Sequence, residues 1–156
     1  MQRNAFKTLK ILHLAIGAGL FLFTVALIIA SRSGHLTGTD SNLERTLQGV
    51  AAVLSVGVLL IGFRLFKRKM LQARNSTLGG VARMQQYRTA CILWWAMIEA
   101  PGLFAGICYY LSGNFAFLAL AAFHLLVLLM FMPRKDNIVV LLNLTSKEVD
   151  ELEGKE

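Results

Sequence analysis

Four apolar runs constrain this chain more than any other feature. They cover residues 11–30, 47–66, 90–111 and 115–132. A helix needs roughly 20 mostly apolar residues to cross about 30 Å of hydrocarbon, so each run is about one span long. Charged residues make up only 16% of the chain and hydrophobic ones 56%. Soluble domains carry about 25% charged residues, which makes a water-exposed globule a poor fit. The expected fold is an all-α membrane protein. Residues 1–135 would form a four-helix transmembrane bundle and residues 136–156 a tail with a short helix.

The basic residues orient that bundle. Arg3, Lys7 and Lys10 precede the first run. Arg64, Lys67, Arg68, Lys69, Arg74, Arg83 and Arg88 surround the second connection, and Arg134, Lys135, Lys147 and Lys155 follow the fourth run. Only Arg32 and Arg45 fall elsewhere. The positive-inside rule then predicts both termini and the second connection in the cytoplasm, with a multi-pass protein of the cell membrane (the inner membrane of a bacterium). The formal charge of +7 is thereby explained by topology, with no need of nucleic acid as a partner. A basic start before an apolar run also fits a signal peptide, but the run exceeds the usual core of about 7–15 residues, so an uncleaved helix is expected.

The connections carry their own signals. Ser112-Gly113-Asn114 reads as a tight turn between the last two helices, and Pro133 as a stop. Gly79-Gly80 breaks the second connection, whose flanks can prolong helices past the bilayer surface. Lys67, Arg68 and Lys69 can attract anionic lipid headgroups. In the tail, Thr145-x-x-Glu148 has the spacing of a capping box opening a short acidic helix. That tail either folds back on the basic connection or stays solvated.

Glu99 is the only acidic residue inside an apolar run, ten residues into the third. An ionisable group at that depth costs at least about 2.5–3.5 kcal/mol, and such groups are usually functional, paired or protonated. Gly102 and Gly106 follow at +3 and +7, on the face that also holds Trp95, and let another helix approach closely. Pro101 removes a backbone donor from this stretch and leaves carbonyls near Ile98 less constrained. His124 lies 11 residues after Gly113, whereas Glu99 lies 14 before it. At about 1.5 Å per residue their depths differ by about 4–5 Å, so a Glu99–His124 pair fits a proton relay or a structural bond.

Other residues read more simply. Ala15 and Gly19 in the first helix, and Ala119 and Ala122 in the fourth, look like close-packing faces. Trp94 and Trp95 are expected to pack, and Tyr109 and Tyr110 to mark the outer boundary. Cys91 and Cys108 lie some 25 Å apart along one helix, too far to pair. His13 and His124 are the only route to a haem, and their depths do not match. The chain holds no GxSxG, Walker loop, HExxH or GxGxxG, so nothing in it argues for an enzyme or a bound cofactor.

The segment 96–110, AMIEAPGLFAGICYY, resembles the carboxylate-bearing helix of the c subunit (proteolipid) of rotary ATP synthases. The resemblance rests on Glu99-Ala100, on the small residues that follow and on Leu103-Phe104. Gly80-Val81-Ala82-Arg83 is similar to that family's basic polar loop. It implies that Glu99 is a reversible binding carboxylate for H⁺. The leading expectation is a small non-enzymatic subunit that handles a proton, or gates a transport or energy-coupling assembly. The alternative is an accessory or scaffold subunit in which Glu99 is structural or meets a partner helix. Either reading implies other membrane subunits, or further copies of the chain, as partners.

Overall fold

The computed structural model describes residues 4–33 and 40–154. Arg3, Lys155 and part of the first connection lie outside the described residues. Six helices follow one another: α1 Ala5–Arg32, α2 Ser41–Arg74, α3 Gly80–Ser112, α4 Phe115–Met130, α5 Lys135–Leu142 and α6 Ser146–Glu153. No strand occurs among the described residues. The helices α1, α2 and α3 are each long and apolar enough to cross a membrane. A fourth span arises if α4 and α5, bent by 67° across the break at residues 131–134, count as one. The architecture is that of a multi-pass membrane protein.

The ends of the helices follow local chemistry. Asn4, Asp40 and Asn114 cap α1, α2 and α4 by accepting a backbone N–H with the side chain. Gly113 ends α3 in the left-handed region at φ 69°, a conformation that favours glycine, so the Ser112–Asn114 turn forms where it is expected. The helices run past the apolar stretches at the basic end. The α2 helix continues to Arg74 and α3 starts at Gly80, ten residues before its apolar run. Polar residues on these extensions need no bilayer, and apolar ones such as Ala73, Met84 and Tyr87 bury against each other and the tail.

The third helix is the centre. Half of its most apolar window is buried, against 17% for α1 and α2. It packs against α1, α2 and α4, while α1 and α2 scarcely meet. The buried residues of α2 are Ala51, Ser55, Gly62 and Ala73. Ala51, Gly62 and Ala73 recur every 11 residues, three helical turns, and so hold one face over the whole length. All four are small, which seats α2 close to α3. At Gly62 a Cβ would lie only 2.7 Å from the ring of Trp94. The α4 stripe is Phe117, Ala121, His124 and Leu128, at helical spacing. Ala119 and Ala122 are exposed instead, two residues before and one after the buried Ala121. Tyr109 is 6% exposed and its hydroxyl meets Ser31 of α1, so it packs between the ends of α3 and α1.

The tail folds back. Thr145 accepts the Glu148 backbone N–H, and the Glu148 carboxylate accepts the Thr145 backbone N–H in return, a complete capping box for α6. Arg83 of α3 donates to the carbonyls of Leu142 (2.8 Å) and Asn143 (3.2 Å) and to Glu148 (2.5 Å). It thereby satisfies the open C-terminal carbonyls of α5. Lys135 pairs with Glu153 and lies over the ring of Phe6. Ile138, Leu142 and Leu152 of the tail join Phe6, Leu9 and Met84 in one core.

Candidate functional site

Glu99 sits in the middle of α3, on the seam with α1. It is half-buried, and a Cβ built on Gly19 would lie 3.8 Å from its Oε1. Among the described residues its carboxylate has no hydrogen-bond partner and no ion pair. The two helices provide only a glycine backbone and apolar walls there. Gly102 and Gly106 are buried beside it, as their spacing implies. A Cβ at Gly102 would come 3.2 Å from Leu20 and 3.1 Å from the Cβ of His124, and one at Gly106 3.1 Å from Leu27. The glycine pair thus admits side chains of α1 and the backbone side of α4. Pro101 is buried and lies inside α3 without ending it.

The pairing of Glu99 with His124 is not formed. His124 is fully buried, and its Nε2 bonds the hydroxyl of Ser55 on α2 at 3.0 Å. Its Nδ1 has no hydrogen-bond partner among the described residues. Similar depth does not bring the two groups together. The imidazole is committed to α2, while the carboxylate turns to α1. Ser55 is the only hydroxyl in the apolar run of α2, and that was the one signal in the sequence for this contact.

His13 has a structural task. Its Nε2 lies 2.9 Å from the carbonyl of Leu128 in the last turn of α4, and its ring meets Trp95 edge-on at 4.8 Å. That carbonyl also accepts the Phe131 backbone N–H, so the ring adds a second contact at the end of α4. His13 and His124 therefore serve different contacts, and no group of three or more metal-binding side chains exists among the described residues.

Ala15 and Gly19 do not pack within the bundle. Both are exposed, and α1 buries Phe6, Leu9, His13, Gly17 and Leu20 instead. Gly17, two residues from either, is the small residue that meets α4, at Leu128. The exposed Gly19 borders Glu99, and Ala15 is exposed one helical turn before Gly19. At the basic end, Arg64, Lys67 and Arg68 line one shallow depression along α2. Lys69 lines another with Gln86 and Thr89 of α3. The three adjacent cations hence face two sides, since successive helical residues point about 100° apart.

No family model, curated protein or solved structure matches the chain.

Proposed function

We propose that this chain is a small non-enzymatic membrane subunit that handles a proton, or gates, through Glu99 within a transport or energy-coupling assembly. One observation carries the reading: a lone carboxylate in mid-helix, half-buried beside Gly19, with no partner inside the bundle. A carboxylate sealed by a permanent cation would be structural. One left open on one side can exchange a proton with whatever passes that side. The resemblance of residues 96–110 to the proteolipid helix of rotary ATP synthases supports the same role for Glu99. The distribution of basic residues supports four spans with both ends in the cytoplasm of a cell-membrane protein. His124 is not required, because its ring is engaged by Ser55.

A second reading follows from Ala15 and Gly19. Gly19 is exposed beside Glu99 and Ala15 is exposed one turn away, which leaves room for a partner helix and would make the chain an accessory or scaffold subunit with Glu99 as its partner contact.

A membrane-soluble carbodiimide separates the two, because it reacts with a protonated carboxyl in an apolar setting. Under the proton-handling reading the reagent modifies Glu99 in native membranes, at a rate that falls as pH rises, and Glu99→Gln abolishes both labelling and transport. Protection of Glu99 at every pH in native membranes, with labelling only after the partners are stripped away, would favour the scaffold reading.

A further inference from the structure

The basic end of α2 carries charge that nothing in the chain neutralises. Arg64, Lys67 and Arg68 line one shallow depression together with Leu71, Gln72 and Asn75. All three cations are exposed, and among the described residues none of them makes an ion pair or a hydrogen bond. The tail acids Glu148 and Glu153 pair with Arg83 and Lys135 instead. From Arg45 to Ile98 the sequence holds no Asp or Glu, so neither the rest of α2 nor the facing stretch of α3 supplies a counter-charge.

The direction of the patch matters as much as its charge. Successive residues of a helix turn by about 100°, so Arg64, Lys67, Arg68, Leu71 and Asn75 share one side of α2. The residues that α2 buries, Ala51, Ser55, Gly62 and Ala73, lie on the opposite side, towards α3. Back along the apolar run, the side that carries Arg64 also carries Val53, Gly57, Leu60 and Ile61. The three large residues of this strip are all exposed. A Cβ built on Gly57 would meet nothing within 4 Å, so the glycine leaves a notch in the strip. In a membrane span such a side faces lipid. Arg64 lies two residues before the end of the apolar run, about 3 Å in depth, and its long apolar stem lets the guanidinium reach the boundary. Cations at headgroup level and an apolar strip at acyl-chain level therefore stand on one face.

We propose that this face of α2 binds one anionic phospholipid, with its phosphate among Arg64, Lys67 and Arg68 and an acyl chain lying over Gly57. A guanidinium holds a phosphate through two N–H donors at once, and an ammonium holds it as a point charge. Gln72 and Asn75 add amide donors for the rest of the headgroup. Charge complementarity selects the lipid, because basic sites at this level of a span attract anionic headgroups. A zwitterionic headgroup brings a cation of its own towards three like charges. An acidic segment of a partner protein would match the cations and leave the apolar strip bare. Lys69 lies outside the site, because it faces Gln86 and Thr89 of α3. The proposal does not depend on Glu99.

The delipidated full chain in maltoside micelles is titrated with dioleoyl phosphatidylglycerol and, separately, with dioleoyl phosphatidylcholine, and native mass spectrometry counts the lipids bound. One phosphatidylglycerol is expected to bind at concentrations where phosphatidylcholine does not. Arg64→Gln, Lys67→Gln and Arg68→Gln should each weaken it about fivefold, the worth of one cation near an anionic lipid. These side chains are exposed and unpaired, so each variant should keep the parent melting temperature, and any one that folds suffices for the test. Lys69→Gln removes the same charge from the same end on a different side, and should leave the affinity within twofold. Gly57→Leu fills the notch without touching charge and should also weaken binding. Equal binding of the two lipids would overturn the proposal. So would an equal loss from Lys69→Gln and Arg68→Gln, which would mean attraction by net charge without a site. Displacement of the bound lipid by hexaglutamate at equal concentration would also overturn it, in favour of an acidic partner segment.

Discussion

The two halves of α3 treat their charged groups in opposite ways. Near its start, Arg83 is wrapped: two carbonyls and a carboxylate accept from it, and that carboxylate also closes the cap of α6. Near its middle, Glu99 has a glycine beside it and nothing to bond. The first arrangement fixes a position, because each partner is satisfied only when the tail is docked. The second leaves a group whose state depends on what lies outside the bundle. Charge used for building is paired within the chain, and charge available for function is left unpaired by it.

The largest effect expected is at the wrapped end. Arg83→Ala removes every bond that ties α3 to the α5 cap and strands Glu148. It should weaken docking of the tail by about 2–3 kcal/mol, the worth of bonds to a charged group. Hydrogen exchange of residues 135–154 would read this as a faster opening of α5 and α6 while the apolar spans stay protected. Acid should do the same reversibly. The Thr145 backbone and then Arg83 hold the Glu148 carboxyl down to about 2, from an ordinary 4.5. A depressed carboxyl pKa contributes stability that is complete above the unfolded value. The tail should therefore stay docked at neutral pH and release as pH falls from about 4.5 towards 2, with stability rising with pH across that window. Release that follows a different range would break the link between the Glu148 bridge and docking.

Next come two glycines on one helix. Gly62→Ala in α2 places a methyl 2.7 Å from the Trp94 ring, which also meets Phe131 edge-on at 5.2 Å. Overpacking of this kind costs about 1–3 kcal/mol. Gly57 has nothing within 4 Å of a built Cβ, so Gly57→Ala should stabilise α2 by up to about 1 kcal/mol through helix propensity alone. Thermal unfolding in one detergent compares them. A smaller step follows at the tail, where Thr145→Ala removes the cap of α6 and should cost about 1 kcal/mol. The readout is protease cleavage within residues 146–153.

These residues also mark how far the sequence could be read. Thr145 and Glu148 are three apart, so their mutual bond is local and visible in the spacing. The Gly113 turn and the apolar runs are local as well. The small residues of α1 are different. Ala15, Gly17, Ala18 and Gly19 stand almost together, and composition does not choose among them. Gly17 is the buried one because His13 and Leu20 share its face and meet Leu128 and Gly102, which only the folded α4 and α3 supply. The same holds for His124. Depth alone matched it to Glu99, but the direction of each ring or carboxyl is set by the rotation of its helix about its own axis. That rotation is a packing result. The sequence therefore showed which groups lie at one level and left open which of them touch.

The smallest effect on stability is expected at Glu99, and this is what makes the residue informative. A carboxyl with no internal partner contributes no bond whose loss could unfold the bundle. Glu99→Gln keeps its volume and removes only the capacity to ionise. The melting temperature should change by no more than a surface substitution would change it, within about 0.5 kcal/mol. Gly102→Val on the same helix should behave differently, because the added atoms meet Leu20 and the backbone side of His124. If Glu99→Gln instead destabilised the isolated chain by several kcal/mol, the carboxyl would have a structural partner within it and the contrast with Arg83 would be lost. If it left stability alone and removed carbodiimide labelling and proton transfer, the unpaired acid would be the working part of the molecule.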